Sequence, residues 1–510
     1  MSKRKIGVIL AYLLMILEAA SAIFVTPIVL SSLGQNNYGI YKLVVSINAY
    51  LMLFDLGVGN AVVRFVAKYR FDNDIESGRK FMGVVSIFYG IISLLAIITG
   101  FTITIIFPFA FSKGLSNSEI LLSQQLLFFT TITSAITLGT SGFSNAIVAF
   151  EKFGVSKIPS IIEIIIRTAL IVLSLKLGFG SVGLVVVNLV TTFVCRLFYV
   201  LYTVFVLKYY PVFKKIQSPF VKEIFLYSGL ITLQMLATQI NQSVDQVLIG
   251  SMVSNSSRLL GIYGVSTQIT QYFMTIGSAI TGILMPGIVG FVRTNKDSVE
   301  IQKEMTRISK IVSFPLFAIF AGFVVFGKEF IILWAGNEYS NSYIIAIILM
   351  APQLIILSQS VGTQLLWAVN KHKMVSYIKI GIVIVNIGLT ALLIQINPLI
   401  GAAIGTFVSL LIGDIVLNWF IFKKELGIKP VNYILNSFIV QLMCCLLLVP
   451  LFLGVDSFLH NFKYNIVMFV VKLTVFTICY VVIAFPSLPK TILNKIPLLK
   501  NRAERNCFPL

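Results

Sequence analysis

Charge is the scarcest feature of this 510-residue chain. Charged residues make up 11% of it, against roughly a quarter in ordinary soluble domains, which excludes a soluble globular fold of this length. Histidine is almost missing. His372 and His460 are its two instances, and both fall near expected loops, so no histidine-based centre for nucleophilic or metal catalysis is in sight. The five cysteines (Cys195, Cys444, Cys445, Cys479 and Cys507) form no C-x-x-C pair and stand apart from histidine. A zinc site and a disulfide framework are thereby excluded, and neither metal nor cofactor is expected. Two motif fragments also fail. Gly322 to Lys328 approximates a phosphate-binding loop, but Glu329 stands where magnesium coordination needs Ser or Thr, within an apolar run. The terminal Cys507-Phe508-Pro509-Leu510 departs from a prenylation box at its proline.

What is abundant is apolar sequence, 57% of the residues. A hydrocarbon core about 30 Å thick needs roughly 20 apolar residues per helix, and such runs recur from end to end. Lipid offers backbone groups no hydrogen-bond partner, so runs of this length must be helices. The sequence therefore predicts an all-α polytopic membrane protein with about fourteen spans: 7–30, 39–63, 81–108, 123–149, 158–176, 181–206, 223–252, 261–292, 309–333, 343–369, 376–395, 399–422, 433–453 and 464–485. Lys3-Arg4-Lys5 and Ala20-Ser21-Ala22 mimic a cleaved signal. The apolar run continues to Leu30, so the segment is read as the first membrane helix.

Basic residues set orientation, because cytoplasmic loops retain them. With the N-terminus inside, thirty of the 39 Lys and Arg fall on inner segments, among them Lys371, Lys373 and Lys379 between spans ten and eleven. Five fall on outer segments: Lys113, Lys176, Arg258, Lys328 and Lys463. Lys42, Arg167, Arg196 and Lys472 lie within spans. Both termini are expected to be cytoplasmic, and the net charge of +20 describes topology rather than a nucleic-acid partner.

The chain also repeats itself. Gly39-Ile40-Tyr41 recurs as Gly261-Ile262-Tyr263, a shift of 222, and Gly183 and Gly401, opening spans six and twelve, differ by 218. Ala149 to Lys152 likewise resembles Ala368 to Lys371. These offsets predict two six-helix repeats forming two lobes, 1–222 and 223–430, then two added helices in 431–485 and a basic cytoplasmic tail, 486–510. An even number of helices per repeat keeps both halves in one orientation, and the substrate path is expected between them.

A charge at the bilayer centre costs roughly 2.5–3.5 kcal/mol on insertion scales, so such residues face a partner or a cavity. Glu18, Asp55, Glu163, Arg167, Arg196, Asp245, Asp414 and Lys472 are the candidates. Glu163 and Arg167 stand four apart and can neutralise each other, Asp414 can serve helix packing, and Lys472 belongs to the added helices. Gln234, Thr238, Asn241 and Asp245 mark one face of span seven, and Gln268 and Gln271 add amides on span eight. Thr130, Ser134, Thr137, Ser141 and Asn145 stripe span four, either lining a passage or joining helices.

Leu33-Gly34 through Tyr38-Gly39-Ile40-Tyr41, then Asp55-Leu56-Gly57-Val58-Gly59-Asn60 and Arg64, resemble the opening of the polysaccharide-unit flippases of the multidrug, oligosaccharidyl-lipid and polysaccharide exporter superfamily. Asp245, Ile249-Gly250 and Gly261-Ile262-Tyr263 are similar to the start of their second half, and Leu333 to Tyr339 also fits. The resemblance implies a two-lobed bundle with a central cavity. By alternating access it would move an undecaprenyl-pyrophosphate-linked oligosaccharide to the outer leaflet of a bacterial inner membrane, in O-antigen, capsule or exopolysaccharide synthesis. It further implies a cationic cavity, to which Arg167 and Arg196 are assigned, with Arg64 and Lys42 at its rim and the amides Gln234, Asn241, Gln268 and Gln271 as sugar contacts. Asp55, Asp245, Glu18 and Glu163 are assigned to ion coupling or charge balance. Implied partners are the lipid-linked oligosaccharide, membrane lipid, and the glycosyltransferases, polymerase and chain-length regulator of the same pathway. A cation-coupled multidrug exporter and a lipid II flippase are the alternatives of similar fold. A membrane polymerase or acyltransferase is the alternative of another class, and it lacks the catalytic outer loop or intramembrane histidine it would need.

Overall fold

A computed structural model of the protein describes residues 3–55, 57–213, 219–294, 297–368, 372–458 and 466–488. Leu56, His460, Lys463 and the tail from 489 onward, with Cys507, lie outside the described residues, as does the side chain of His372. In chain order the helices are α1 (Lys3–Leu51), α2 (Val58–Phe71), α3 (Ile75–Phe111), α4 (Asn117–Ala149), α5 (Phe153–Lys176), α6 (Gly180–Leu201), α7 (Pro219–Met252), α8 (Ser257–Thr294), α9 (Ser298–Ala335), α10 (Ser342–Ser358), α11 (Ser360–Ala368), α12 (His372–Leu393), α13 (Pro398–Leu410), α14 (Asn418–Leu426), α15 (Pro430–Phe458) and α16 (Ile466–Ala484). Among the described residues there is no strand.

Ten described helices are long and apolar enough to cross a membrane, or eleven if the bent pair α10 and α11 counts as one span. This count differs from the expected fourteen, and it takes Ile9–Phe71, which holds two expected spans, as one run. The surface is inverted relative to a soluble protein: Phe24, Ile105, Phe109 and Leu447 are 75%, 68%, 82% and 66% exposed. Such a collar is stable only in hydrocarbon.

Two backbone features follow directly from glycine. The first expected loop shrinks to one non-helical residue, Gly34, whose φ of +70° is costly for any residue with a Cβ. The helix then resumes and runs to Leu51, where a short 3-10 turn, Met52–Asp55, precedes Gly57 at φ +69°. The Asp55 and Gly57 motif thus marks a break within the second expected span.

By contacts the chain divides into two units, Met1–Gly264 with Ala391–Ala402, and Val265–Thr390 with Ala403–Leu510. Within the first, the repeated glycines meet each other. A Cβ added to Gly39 would lie 2.0 Å from the Ser257 carbonyl oxygen, and one added to Gly261 would lie 2.4 Å from that of Gln35. The shift of 222 that relates Gly39 to Gly261 also relates Gln35 to Ser257. The two contacts are therefore related by the same shift in sequence as the glycines themselves. The Arg258 Nε donates to Gln35 Oε1 at 2.8 Å beside it.

In the second unit the last two helices clasp α9. Lys472, on α16, pairs with Glu329 at 3.3 Å, the two side chains 6% and 4% exposed. Phe326, Phe452 and Phe476 meet edge to face, and Ser309 and Tyr433 share a 2.6 Å hydrogen bond. The Glu that spoils the phosphate-loop fragment is thus the counter-ion of the added helices.

The glycine crossing makes a prediction. Gly261→Val should lower stability by about 2 kcal/mol, the usual cost of overfilling a packed contact, read as a fall in the thermal midpoint in detergent. Gly90→Ala, where nothing lies within 4 Å of the added carbon, should not lower it; equal midpoints for both variants would refute the tight crossing.

Candidate functional site

The first unit gathers polar side chains from α1, α3, α5 and α6. On α6, Asn188, Thr192 and Arg196 stand four apart and form one stripe. On α5, Glu163 and Arg167 also stand four apart, their Oε1 and Nη1 3.8 Å from each other. Thr192 Oγ1 donates to Glu163 Oε1 at 3.2 Å, and Arg167 Nη1 donates to Asn188 Oδ1 at 3.3 Å. The expected mutual neutralisation of Glu163 and Arg167 is present but loose. The Arg167 side chain is 31% exposed against 16% for Glu163, so most of its five N–H donors remain available. The Tyr41 ring on α1 lies within electrostatic reach of this guanidinium.

Arg196 follows Asn188 by two helical turns, roughly 12 Å along the axis. Among the described residues it makes no hydrogen bond or direct ion pair; Asp55 is its carboxylate within electrostatic reach. The Asp55 carboxylate accepts the Gly57 backbone N–H, and the Tyr89 hydroxyl approaches it without completing hydrogen-bond geometry. Two guanidiniums, one loosely paired and one balanced at a distance, therefore stand on the adjacent helices α5 and α6.

The other expected residues divide by position. Lys42 is half-buried, its ammonium 5.8 Å from the Tyr38 ring centroid, and its stem fills the space left by Gly264. Arg64 is exposed over the Phe65 ring at 5.8 Å. Glu18 is exposed on α1, and Ser21 beside it bonds Thr168 of α5 at 2.5 Å. Asp245 is 4% exposed and accepts the Tyr263 hydroxyl at 2.5 Å, near Tyr50 and Ser243. Gln234 and Asn241 are half-buried on the same helix. Gln268 is half-buried and Gln271 exposed on α8, in the second unit.

The hydroxyl stripe of α4 turns largely inward on its own helix. Thr130 bonds the Leu126 carbonyl at 2.9 Å and Ser141 that of Thr137 at 2.8 Å, while Ser134 donates to Asn48 of α1 at 3.0 Å. Of these three bonds only that of Ser134 joins two helices. Asn188 and Thr192 were not anticipated, although their spacing with Arg196 is visible in the sequence. Lys379 was counted with an inner loop; it lies inside α12 and pairs with Asp414 at 2.5 Å.

Comparisons with known proteins agree with this architecture. A family described as "Polysaccharide biosynthesis protein" matches residues 6–291. An uncharacterized membrane protein in the cps region of Klebsiella pneumoniae is 22% identical over 283 residues, 55% of this chain and 56% of that protein. The probable flippase AglR of Haloferax volcanii is 26% identical over 199 residues, 38% of this chain and 41% of that protein. The chain thus spans about half the length of these two relatives. A putative O-antigen transporter of Shigella flexneri is 19% identical over 396 residues, 76% of this chain and 90% of that protein. Among solved structures, the lipid II flippase MurJ in an inward closed conformation superposes with a TM-score of 0.69 at 16% identity, covering 94% of this chain and 98% of that one. That likeness shows the fold.

The buried Asp245 gives a second prediction. Tyr263→Phe removes the hydroxyl donor from a buried carboxylate, a loss of about 1.5–3 kcal/mol. Asp245→Asn keeps an acceptor for that hydroxyl and should cost less. Thermal unfolding of the two variants in detergent compares them, and the reverse order would show that the hydrogen bond does not stabilise the carboxylate.

Proposed function

The chain belongs to the polysaccharide biosynthesis protein family, and from that premise we propose that it is a flippase, carrying an undecaprenyl-pyrophosphate-linked oligosaccharide unit across the bacterial inner membrane. The lobes 1–222 and 223–430 would alternate access to a path between them, with both termini cytoplasmic. The named relatives are a flippase and a transporter rather than enzymes. One observation carries the choice of substrate: Arg167, bonded to Asn188, and Arg196, two helical turns beyond Asn188 on α6, stand inside the membrane-spanning part, with more guanidinium donors than local acceptors.

A planar guanidinium grips phosphate oxygens through paired N–H donors and stays charged in a low dielectric. Pyrophosphate supplies the missing anions. A cationic drug meets the opposite field, which disfavours the multidrug exporter. Asp55 lies close enough to soften the Arg196 charge when no substrate is bound, and a weakly held counter-charge is easily displaced. Asp245, bonded to Tyr263, suits charge balance in a closed packing position better than contact with a sugar.

Depletion of the protein should leave lipid-linked repeat units accumulating on the inner leaflet. Complementation with Arg196→Ala should restore about a tenth or less of surface polysaccharide, since a charged hydrogen bond is worth about 1.5–3 kcal/mol. Arg196→Lys, with the charge but not the fork, should fall between. Full export with Arg196→Ala would remove Arg196 from the site, and units still crossing after depletion would remove the function.

A further inference from the structure

The second unit contains a charge pair that the reading above does not use. Asp414 sits within a π-helical stretch, Leu411–Leu417, between α13 and α14, and such bulges recur at functional sites. The irregular turn frees the Asp414 carbonyl oxygen, which accepts from Gln359 Nε2 at 2.5 Å and Asn418 Nδ2 at 2.7 Å. Gln359 stands at the joint of α10 and α11, bent by 49°, and its Oε1 accepts from Trp419 Nε1 at 2.9 Å. Lys379 of α12 completes the group, its ammonium 2.5 Å from Asp414 Oδ2. Among the described residues no other charged group contacts either member of the pair.

Position and exposure set this pair apart from a packing device. The shift of 218 that relates Gly183 to Gly401 relates Arg196 to Asp414. Where the first half holds a guanidinium without a direct partner, the second holds an acid whose cation comes from the neighbouring helix. Lys379 is 18% exposed and Asp414 4%, so the ammonium is the more accessible member of the pair and the carboxylate the more enclosed. Both sit roughly 10–14 Å from the basic ends of their helices, counted from His372 and from Lys423 at 1.5 Å per residue. An anion entering from that side meets the ammonium first.

We propose that Lys379 is an anion-binding residue held in reserve by Asp414, and that the phosphate group of a polyprenyl-pyrophosphate substrate exchanges for it with uptake of a proton. The exchange balances. The substrate phosphate oxygen takes the Lys379 ammonium, the Asp414 carboxylate loses its counter-ion, and a proton from the aqueous phase adds to Asp414 Oδ2. Lys379 keeps an anionic partner and Asp414 becomes neutral, so neither member of the pair is left as an unpaired buried charge. When the substrate leaves, the ammonium returns and the proton is released. Substrate movement and proton movement are thereby linked at one pair. The inference rests on the flippase reading and adds the proton site to it.

Calorimetric titration of the full-length protein in detergent with farnesyl pyrophosphate, in two phosphate-free buffers of different ionisation enthalpy, counts protons taken up on binding. The protein should take up about one more proton than Asp414→Asn does, and titration of the ligand's own phosphate is common to both. Binding with equal uptake in both proteins overturns the exchange and leaves the flippase reading intact, whereas absence of binding to the unaltered protein overturns both. Should Asp414→Asn fail to fold, Lys379→Asp combined with Asp414→Lys keeps a buried pair but moves the ammonium to the more enclosed position. Its affinity should fall at least tenfold and the extra proton should vanish; unchanged affinity and uptake would make the pair a structural clamp and end the proposal.

Discussion

Hydrocarbon cannot accept or donate a hydrogen bond, and nearly every feature of this chain is a response to that. Backbone groups close on themselves in helices. Where a helix must deviate, another part of the protein supplies the missing partner: the Asp414 carbonyl released by the π turn takes two side-chain amides, and Thr203 in the π turn after α6 donates to the Phe143 carbonyl at 3.1 Å. Hydroxyls follow the same rule. Those of α4 return mainly to carbonyls four residues back, which satisfies them without spending a partner on a neighbouring helix.

Charges obey the constraint with more at stake. Glu163 with Arg167, Lys379 with Asp414, and Glu329 with Lys472 are each paired, but their settings differ. The Glu329 pair is buried on both sides and ties α16 to α9, while the other two each leave the cation more open than the acid. An ion pair that opens toward its cation can receive an anion with little rearrangement. Arg196, which makes no direct ion pair among the described residues and has Asp55 within electrostatic reach, lies at the far end of that series. The cationic bias implied for the passage thus resides in the asymmetry of pairs, not in the net charge of the chain.

The repeat connects these features. Backbone contact between Gly39 and Ser257, mirrored by Gly261 and Gln35, allows α1 and α8 to meet at a crossing that no larger residue permits. A near-equal offset in sequence, 218, relates Arg196 to Asp414.

By itself the sequence determined the membrane as solvent, the all-helical class, and the presence of charges inside the spans, because hydropathy and helical periodicity are local and are written along the chain. It also placed Glu163 and Arg167 together, four residues apart on one helix. Only tertiary structure decided that Glu329 finds Lys472 across 143 positions and that Lys379 leaves its supposed loop to meet Asp414. It likewise decided that Asp245 is closed off by Tyr263. Such pairings depend on which helix faces which at one depth, and a one-dimensional pattern of apolar runs does not encode rotation about the helix axis with enough precision to set them.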